Sequence, residues 1–266
     1  MFSYYLKKQV GRLLDHPLVM IWFAIAVALP LYHQLNSAIS TERWNTQPTA
    51  YQIMIGFDFS ALSSEYYMVL PLFAGLIGVC ALADKKFNHS ELIEMTRVGK
   101  KKYVLANALA TFLVGGFALT SPLILDALIA LSRVQGRVID AFSVVGQPID
   151  ANAYYFRYFL ANPLLFLGGY WLLTFIVSGL STVIAFLVFK LTRRRALGVL
   201  SVFIAWTVEW IVGPLCRFAE LAPAIFLIPS QGYNRVTSLA IGINLTVDTV
   251  ALIVLMARAV KSDEIG

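Results

Sequence analysis

Long apolar runs separated by short clusters of charge set the pattern of this chain. Six runs read as membrane spans: Pro17 to Gln34, Tyr66 to Ala83, Tyr103 to about Leu131, Phe159 to Phe189, Ala196 to Cys216, and Val236 to Ala257. A helix needs about 20 apolar residues to cross the hydrocarbon of a bilayer. The second run, bracketed by Glu65 and Asp84, is the shortest that qualifies. The fourth carries no charge between Arg157 and Lys190. It is longer than a crossing requires, so it is expected to tilt, to kink near Gly168-Gly169, or to begin outside the bilayer.

The flanking segments have patterns of their own. Phe2, Leu6, Val10, Leu13 and Leu14 recur at helical spacing, with Lys7, Lys8 and Arg12 off that stripe. This predicts an amphipathic helix over residues 1–15 lying in the membrane interface. The basic start also fits a secretory signal, but Tyr32-His33-Gln34-Leu35 offers no small-residue cleavage site, so the first helix is expected to be retained. Leu35 to Glu65 and Ser132 to Arg157 are polar enough to face water. Between the last two runs, Pro214, Pro223 and Pro229 break the chain, while Leu221 to Ile228 is almost wholly apolar. That stretch is too short to span. It predicts a re-entrant or interfacial segment whose backbone is satisfied by neighbouring helices. The expected fold is therefore an all-α polytopic membrane protein: one transmembrane domain over residues 1–266, with six helices, an N-terminal interfacial helix and a re-entrant segment before the last helix.

Composition agrees. Of the 266 residues, 59% are hydrophobic and 14% charged, against about 25% charged in soluble domains. The net charge of +6 raises the question of nucleic acid, and its distribution answers it. With the N-terminus placed inside, the inner segments hold three Lys and Arg before the first span, six from Lys85 to Lys102, four from Lys190 to Arg195, and Arg258 and Lys261. The outer segments hold Arg43, Arg133, Arg137, Arg157, Arg217 and Arg235. Positive charge concentrates on the cytoplasmic side of membrane proteins, so both termini are expected in the cytoplasm. The basic balance is a property of the loops; the expected partner is the lipid bilayer, not nucleic acid. Cys80 and Cys216 fall at opposite faces and are expected to be free thiols, and no metal site is expected.

The inner loop DKKFNHSELIEMTRVGKKKY carries the most information. Asn88 followed by Glu91 reads as a helix cap with an acid three residues on. A short helix follows, carrying Leu92, Ile93 and Met95, and Gly99 ends it. Three apolar residues on a polar loop need a surface, either a partner protein or the lipid headgroups. Within or at the ends of the spans lie Asp126, Glu209 and Asp248. An ionisable residue inside a membrane marks a functional hypothesis. Asp248 lies about 15 Å from Arg258 at helical rise, near mid-bilayer, with Asn244 one turn before it. Glu209, Asn244 and Asp248 are the candidate substrate path. Asp126 is expected to reach the outer headgroups, or to make a buried hydrogen bond to another helix or stay protonated, with no role in function. Ser178-Gly179 suggests a membrane protease, but His16, His33 and His89 sit at or beyond span ends, out of reach of Ser178, so no catalytic residue is expected. There is no G-x-x-x-x-G-K-[ST] phosphate loop.

The stretch from Leu70 to Leu125 resembles permease subunits of the type-two ABC exporter class, especially those of bacteriocin and antimicrobial-peptide export or immunity. The matching pieces are DKK after the second span, TRVGKKKYVLAN, and FLVGGFALTSPLIL in the third span. The resemblance covers the whole chain in layout and about a fifth of it in motif. It implies a bacterial cytoplasmic membrane, two cytoplasmic ABC ATPase subunits that hold ATP and Mg, and a second permease subunit, identical or homologous. It also implies that Asn88 to Thr96 is the coupling helix, with Asn88, Glu91, Leu92, Ile93, Glu94, Met95 and Arg97 facing the ATPase, and that Met1 to Asp15 is an elbow helix. The chain itself would carry no cofactor. Two other classes stay open: an ion-coupled secondary transporter acting through Asp248 and Glu209, and a membrane anchor or sensor.

Overall fold

A computed structural model describes residues 2–41, 49–58, 60–87, 90–134, 149, 153–231 and 236–262. Among them the chain is all helical, and six helices are long and apolar enough to cross a membrane. It is a multi-pass membrane protein. The helices are α1 (Phe2–Leu14), α2 (Pro17–Thr41), α3 (Ala61–Phe87), α4 (Ser90–Val98), α5 (Lys100–Arg133), α6 (Phe156–Ala161), α7 (Pro163–Thr192), α8 (Arg195–Leu215), α9 (Pro223–Phe226) and α10 (Ser238–Ser262). Two single 3-10 turns, Ala50–Ile53 and Ala219–Leu221, complete the described elements.

α7 is the centre of the bundle. It packs against α5, α3, α8 and α10, while α2 and α1 lie on the far side of α5. The bulk of the hydrophobic effect is absent between helices in lipid, so close backbone approach at small residues drives this packing. Gly78 meets the Thr182 carbonyl on α7, and Gly75 meets the Val199 carbonyl on α8. A Cβ on Gly75 would sit inside the contact distance of that carbonyl. Gly75→Val is therefore expected to push α3 off α8 and cost about 1–3 kcal/mol of overpacking. Thermal unfolding followed by size exclusion would show it; unchanged melting would mean that α3 and α8 can separate freely.

Proline shapes α5. Pro122 has no N–H, so the Ala118 carbonyl one turn back loses its helical donor. The Trp22 indole of α2 supplies a replacement, donating Nε1–H to the Ala118 oxygen at 2.8 Å, and Ser121 Oγ donates to it as well at 2.9 Å. The Tyr66 hydroxyl donates to the neighbouring Leu119 carbonyl. Side chains from α2 and α3 thus satisfy backbone that lipid could not.

The long fourth run breaks before Pro163, with no break at Gly168-Gly169. α6 ends at Ala161, Asn162 caps α7, and Pro163 occupies the first turn, where a missing N–H costs nothing. Gly168 and Gly169 lie inside continuous helix. α1 forms with Tyr5, Gln9 and Leu13 buried at four-residue spacing against α5. The stretch after α8 forms the second 3-10 turn and α9, and buries Pro223, Ile225 and Phe226. Cys80 is buried and Cys216 exposed, and no disulfide joins them.

The hydrophobic interior divides in two. One cluster runs through the bundle around Tyr67, Tyr103, Phe186 and Phe226. A second caps the end opposite α4, where Tyr51, Met54 and Phe57 meet Phe159 and Phe166. α8 and α10 remain largely uncovered: 17% of the apolar stretch of each is buried within the chain, against 61% for α5 and α7.

Candidate functional site

Three polar clusters interrupt this apolar body, one at each end and one on the uncovered side.

The first ties down α4. Glu91 and Glu94 are three residues apart, hence on one face of the helix. Lys190, at the end of α7, donates to Glu91 Oε1 at 2.9 Å, and Arg193 donates to Glu91 Oε2 at 3.2 Å. The Lys190 side chain is fully buried and its ammonium lies 5.5 Å from the Tyr103 ring centre. Tyr5 of α1 donates to Glu94 Oε2 at 2.7 Å, with Arg12 3.7 Å from Oε1. Burial, reinforced by the Glu94 carboxylate, pushes the Tyr5 hydroxyl well above the ordinary tyrosine range, so it stays a donor. Met95 packs on the main cluster. The residues expected to face a partner therefore divide: Glu91, Glu94 and Met95 anchor the helix, while Ile93 and Arg97 point outward, Ile93 at 56% exposure. Asn88 and the Leu92 side chain lie outside the described residues.

The second cluster sits at the opposite end, and hydropathy gave no sign of it. Of the readings open for Asp126, the structure shows the buried one: the side chain is wholly buried and accepts three hydrogen bonds. His33 Nδ1 lies 2.8 Å from Oδ1, Gln34 Nε2 donates to Oδ1 at 2.9 Å, and the Ile55 backbone N–H donates to Oδ2 at 2.7 Å. The other ring nitrogen of His33 lies 2.9 Å from Asp58 Oδ2. Asp58 in turn accepts from Ser63 Oγ, which accepts from the Gly56 N–H at 2.8 Å. Arg133 donates to the Gln34 carbonyl at 2.8 Å. An ionised carboxylate only accepts, so each imidazole contact holds a proton between its partners. His33 sits in the last turn of the first candidate span, Pro17–Asn36, as its place at a span end predicted, and α2 itself runs on to Thr41. The two ring nitrogens face opposite sides, so one metal ion cannot engage both. Among the described residues no group of three His, Cys, Asp or Glu is placed to hold a metal.

Burial pushes the Asp58 carboxyl up, but hydrogen bonds from His33, Ser60 and Ser63 and the His33 charge outweigh it and hold the group below its ordinary 3.8. A depressed carboxylate adds stability that is complete above 3.8 and is lost as pH falls through the lower folded value. Pepsin is therefore expected to begin cutting between residues 49 and 58 only below that pH. Asp58→Asn should be cut there across the acid range. Equal cutting of both proteins would detach Asp58 from the hold on this loop.

The third cluster joins α10 to α8. Asn244 Nδ2 donates to the Leu221 carbonyl at 3.1 Å and approaches Glu209 Oε2 at 3.5 Å. Asp248 follows one turn along α10 and lies within electrostatic range of Glu209. Asn244 Oδ1 is buried without a hydrogen-bond partner among the described residues. The candidate path residues do come together, on the side of the bundle that the chain leaves uncovered. Ser178 Oγ is also buried without a partner among the described residues, far from the occupied nitrogens of His33.

No protein-family model, curated protein or solved structure matches this chain.

Proposed function

We propose that the chain is the membrane-spanning permease subunit of an ATP-driven ABC exporter. It would move a peptide or other amphiphile out of the cell, energised by two cytoplasmic ATPase subunits that carry ATP and Mg. The observation that carries this reading is the mounting of α4. It is a nine-residue helix pinned by Glu91 to the end of α7 and by Glu94 to α1, with an apolar Ile93 turned away from the bundle. A helix anchored on one face to two membrane elements, with Ile93 beside Arg97 on the other, is built to pass a push from a docked protein into the bundle. The excess of Lys and Arg beside them supports a cytoplasmic side for α4 and both termini, and the family resemblance suggests a bacterial membrane. The uncovered side of α8 and α10, with Glu209, Asn244 and Asp248 on it, suits a path completed by a second permease subunit.

Ile93→Asp is the direct test. It should abolish ATP-coupled export or release the ATPase, while the purified chain melts as before, because Ile93 is exposed. Met95→Asp should instead unfold the α4 end. Normal export by Ile93→Asp, with the ATPase still bound, would remove α4 from coupling.

The nearness of Glu209 and Asp248 favours a second reading, an ion-coupled transporter. In vesicles, Asp248→Asn should keep ATP-dependent transport if the exporter reading holds. Transport that persists without ATP and collapses with an uncoupler would establish the ion-coupled alternative.

A further inference from the structure

A cavity of about 380 Å³ opens at the end opposite α4, between the first turns of α7 and α10. Its floor is one stripe of α7: Leu165, Gly169 and Leu173, at four-residue spacing. At 1.5 Å per residue that stripe is about 12 Å long, a groove in shape instead of a box. Ile241 of α10 forms the facing wall, with Phe166 and Tyr170 behind the floor. Among the described residues, those that line it carry no charge.

Polarity is confined to one rim. The Tyr154 hydroxyl donates to Ser238 Oγ at 2.8 Å, and the Tyr155 hydroxyl lies 3.2 Å from the same oxygen. Burial pushes the Tyr154 hydroxyl up to about 12, while hydrogen bonding to Ser238 and Tyr154 lowers that of Tyr155. Tyr155 has a left-handed backbone, φ 58°, a conformation that L-residues other than Gly, Asn and Asp seldom take. Strain of that kind gathers where a side chain must be held in place. Here it sets the Tyr155 ring 4.0 Å from Tyr154 and 5.1 Å from Tyr158, centre to centre, along the rim. Gly169 keeps the floor open: a Cβ built there meets nothing within 4 Å.

We propose that this groove binds one alkyl chain of an amphiphile with an uncharged head, the chain lying along Leu165, Gly169 and Leu173 and a hydroxyl or ester oxygen of the head meeting the Tyr154, Tyr155 and Ser238 hydroxyls. The hydroxyl cluster at the rim suits an amphiphile over a wholly apolar guest, and the lack of charge among the described lining residues suits an uncharged head. Such a chain can come from a bilayer lipid or from a single-chain amphiphile, and the two share this chemistry. The inference stands apart from ATP-driven export.

The test uses the purified full chain in nanodiscs and a photoreactive long-chain alcohol, with labelled residues mapped by mass spectrometry. Labelling is expected to saturate and to concentrate at 165–173 and near 241. Gly169→Leu should reduce it at least tenfold. Gly168→Leu is the matched control: its Cβ also meets nothing, but it does not line the groove, and labelling should not change. Tyr155→Asn accepts the left-handed backbone but removes the ring, and should weaken labelling several-fold even if Gly169→Leu fails to fold. Competition by added diacyl lipid assigns the site to bilayer lipid; competition only by single-chain alcohol or monoglyceride assigns it to a single-chain guest. Labelling spread evenly over the exposed faces of α8 and α10, or unmoved by both Gly169→Leu and Tyr155→Asn, overturns the proposal.

Discussion

Asp126→Leu is expected to abolish recovery of folded protein, or to lower its melting temperature further than any other single change at the end opposite α4. Leucine has nearly the right size but accepts nothing. Three donors lose their acceptor at once: His33, Gln34 and the Ile55 backbone N–H. An orphaned buried donor costs about 1–3 kcal/mol, so three of them approach the whole stability of an ordinary domain, about 5–15 kcal/mol. Asp126→Asn keeps one accepting oxygen but turns an NH₂ towards donors, so its loss should be intermediate. Asp58→Asn should cost less again, since Asp58 is partly exposed and accepts on one edge of the cluster only. The order Leu, then Asn at 126, then Asn at 58, read from thermal unfolding in detergent, is the prediction. Wild-type melting of Asp126→Leu would show that the cluster is dispensable for the fold.

At the α4 end, Lys190→Met should destabilise by about 3–5 kcal/mol, the usual cost of leaving one member of a buried ion pair behind. Arg193 softens the loss without replacing Lys190, since its side chain is 49% exposed and that of Lys190 not at all. Adding Glu91→Leu removes the stranded charge, and the double variant should melt close to wild type. On the proposed reading it should still fail to couple ATP hydrolysis to export, because α4 has lost its tie to α7. Stability rescued together with coupling would show that Glu91 and Lys190 serve only the fold.

The spans were legible because a bilayer leaves the chain few choices: every backbone group must be satisfied within the segment, and only a long apolar run can do so. The same reasoning located α1 from its apolar stripe and the short helix α4 from its loop. It left the fourth run free to tilt, to kink near Gly168-Gly169 or to begin outside the bilayer, and did not point to the break before Pro163, where proline at a helix start leaves the helix regular. It missed the two end clusters for a different reason. His33 and Asp126 are 93 residues apart, and Glu91 and Lys190 are 99 apart. A polar residue near a helix end has the same hydropathy whether it meets water or another helix. Periodicity within a run does not say which run lies beside it. Lys190 therefore read as one of four inner loop charges and Asp126 as an acid without a named partner, and their partners became visible only with the packing of α2, α4, α5 and α7.

α5 has 34 residues, roughly 50 Å at 1.5 Å per residue. One end follows directly from α4 at Gly99, and the other carries Asp126 and Arg133. Trp22 and Ser121 satisfy the Ala118 carbonyl that Pro122 leaves without its helical donor, and α5 runs on as one continuous helix. A rod of this length is a see-saw. A tilt of about 5° about its midpoint carries each tip roughly 2 Å, in opposite directions. Distance labels at the two tips, measured against α7, would therefore record one rotation as two readings of opposite sign.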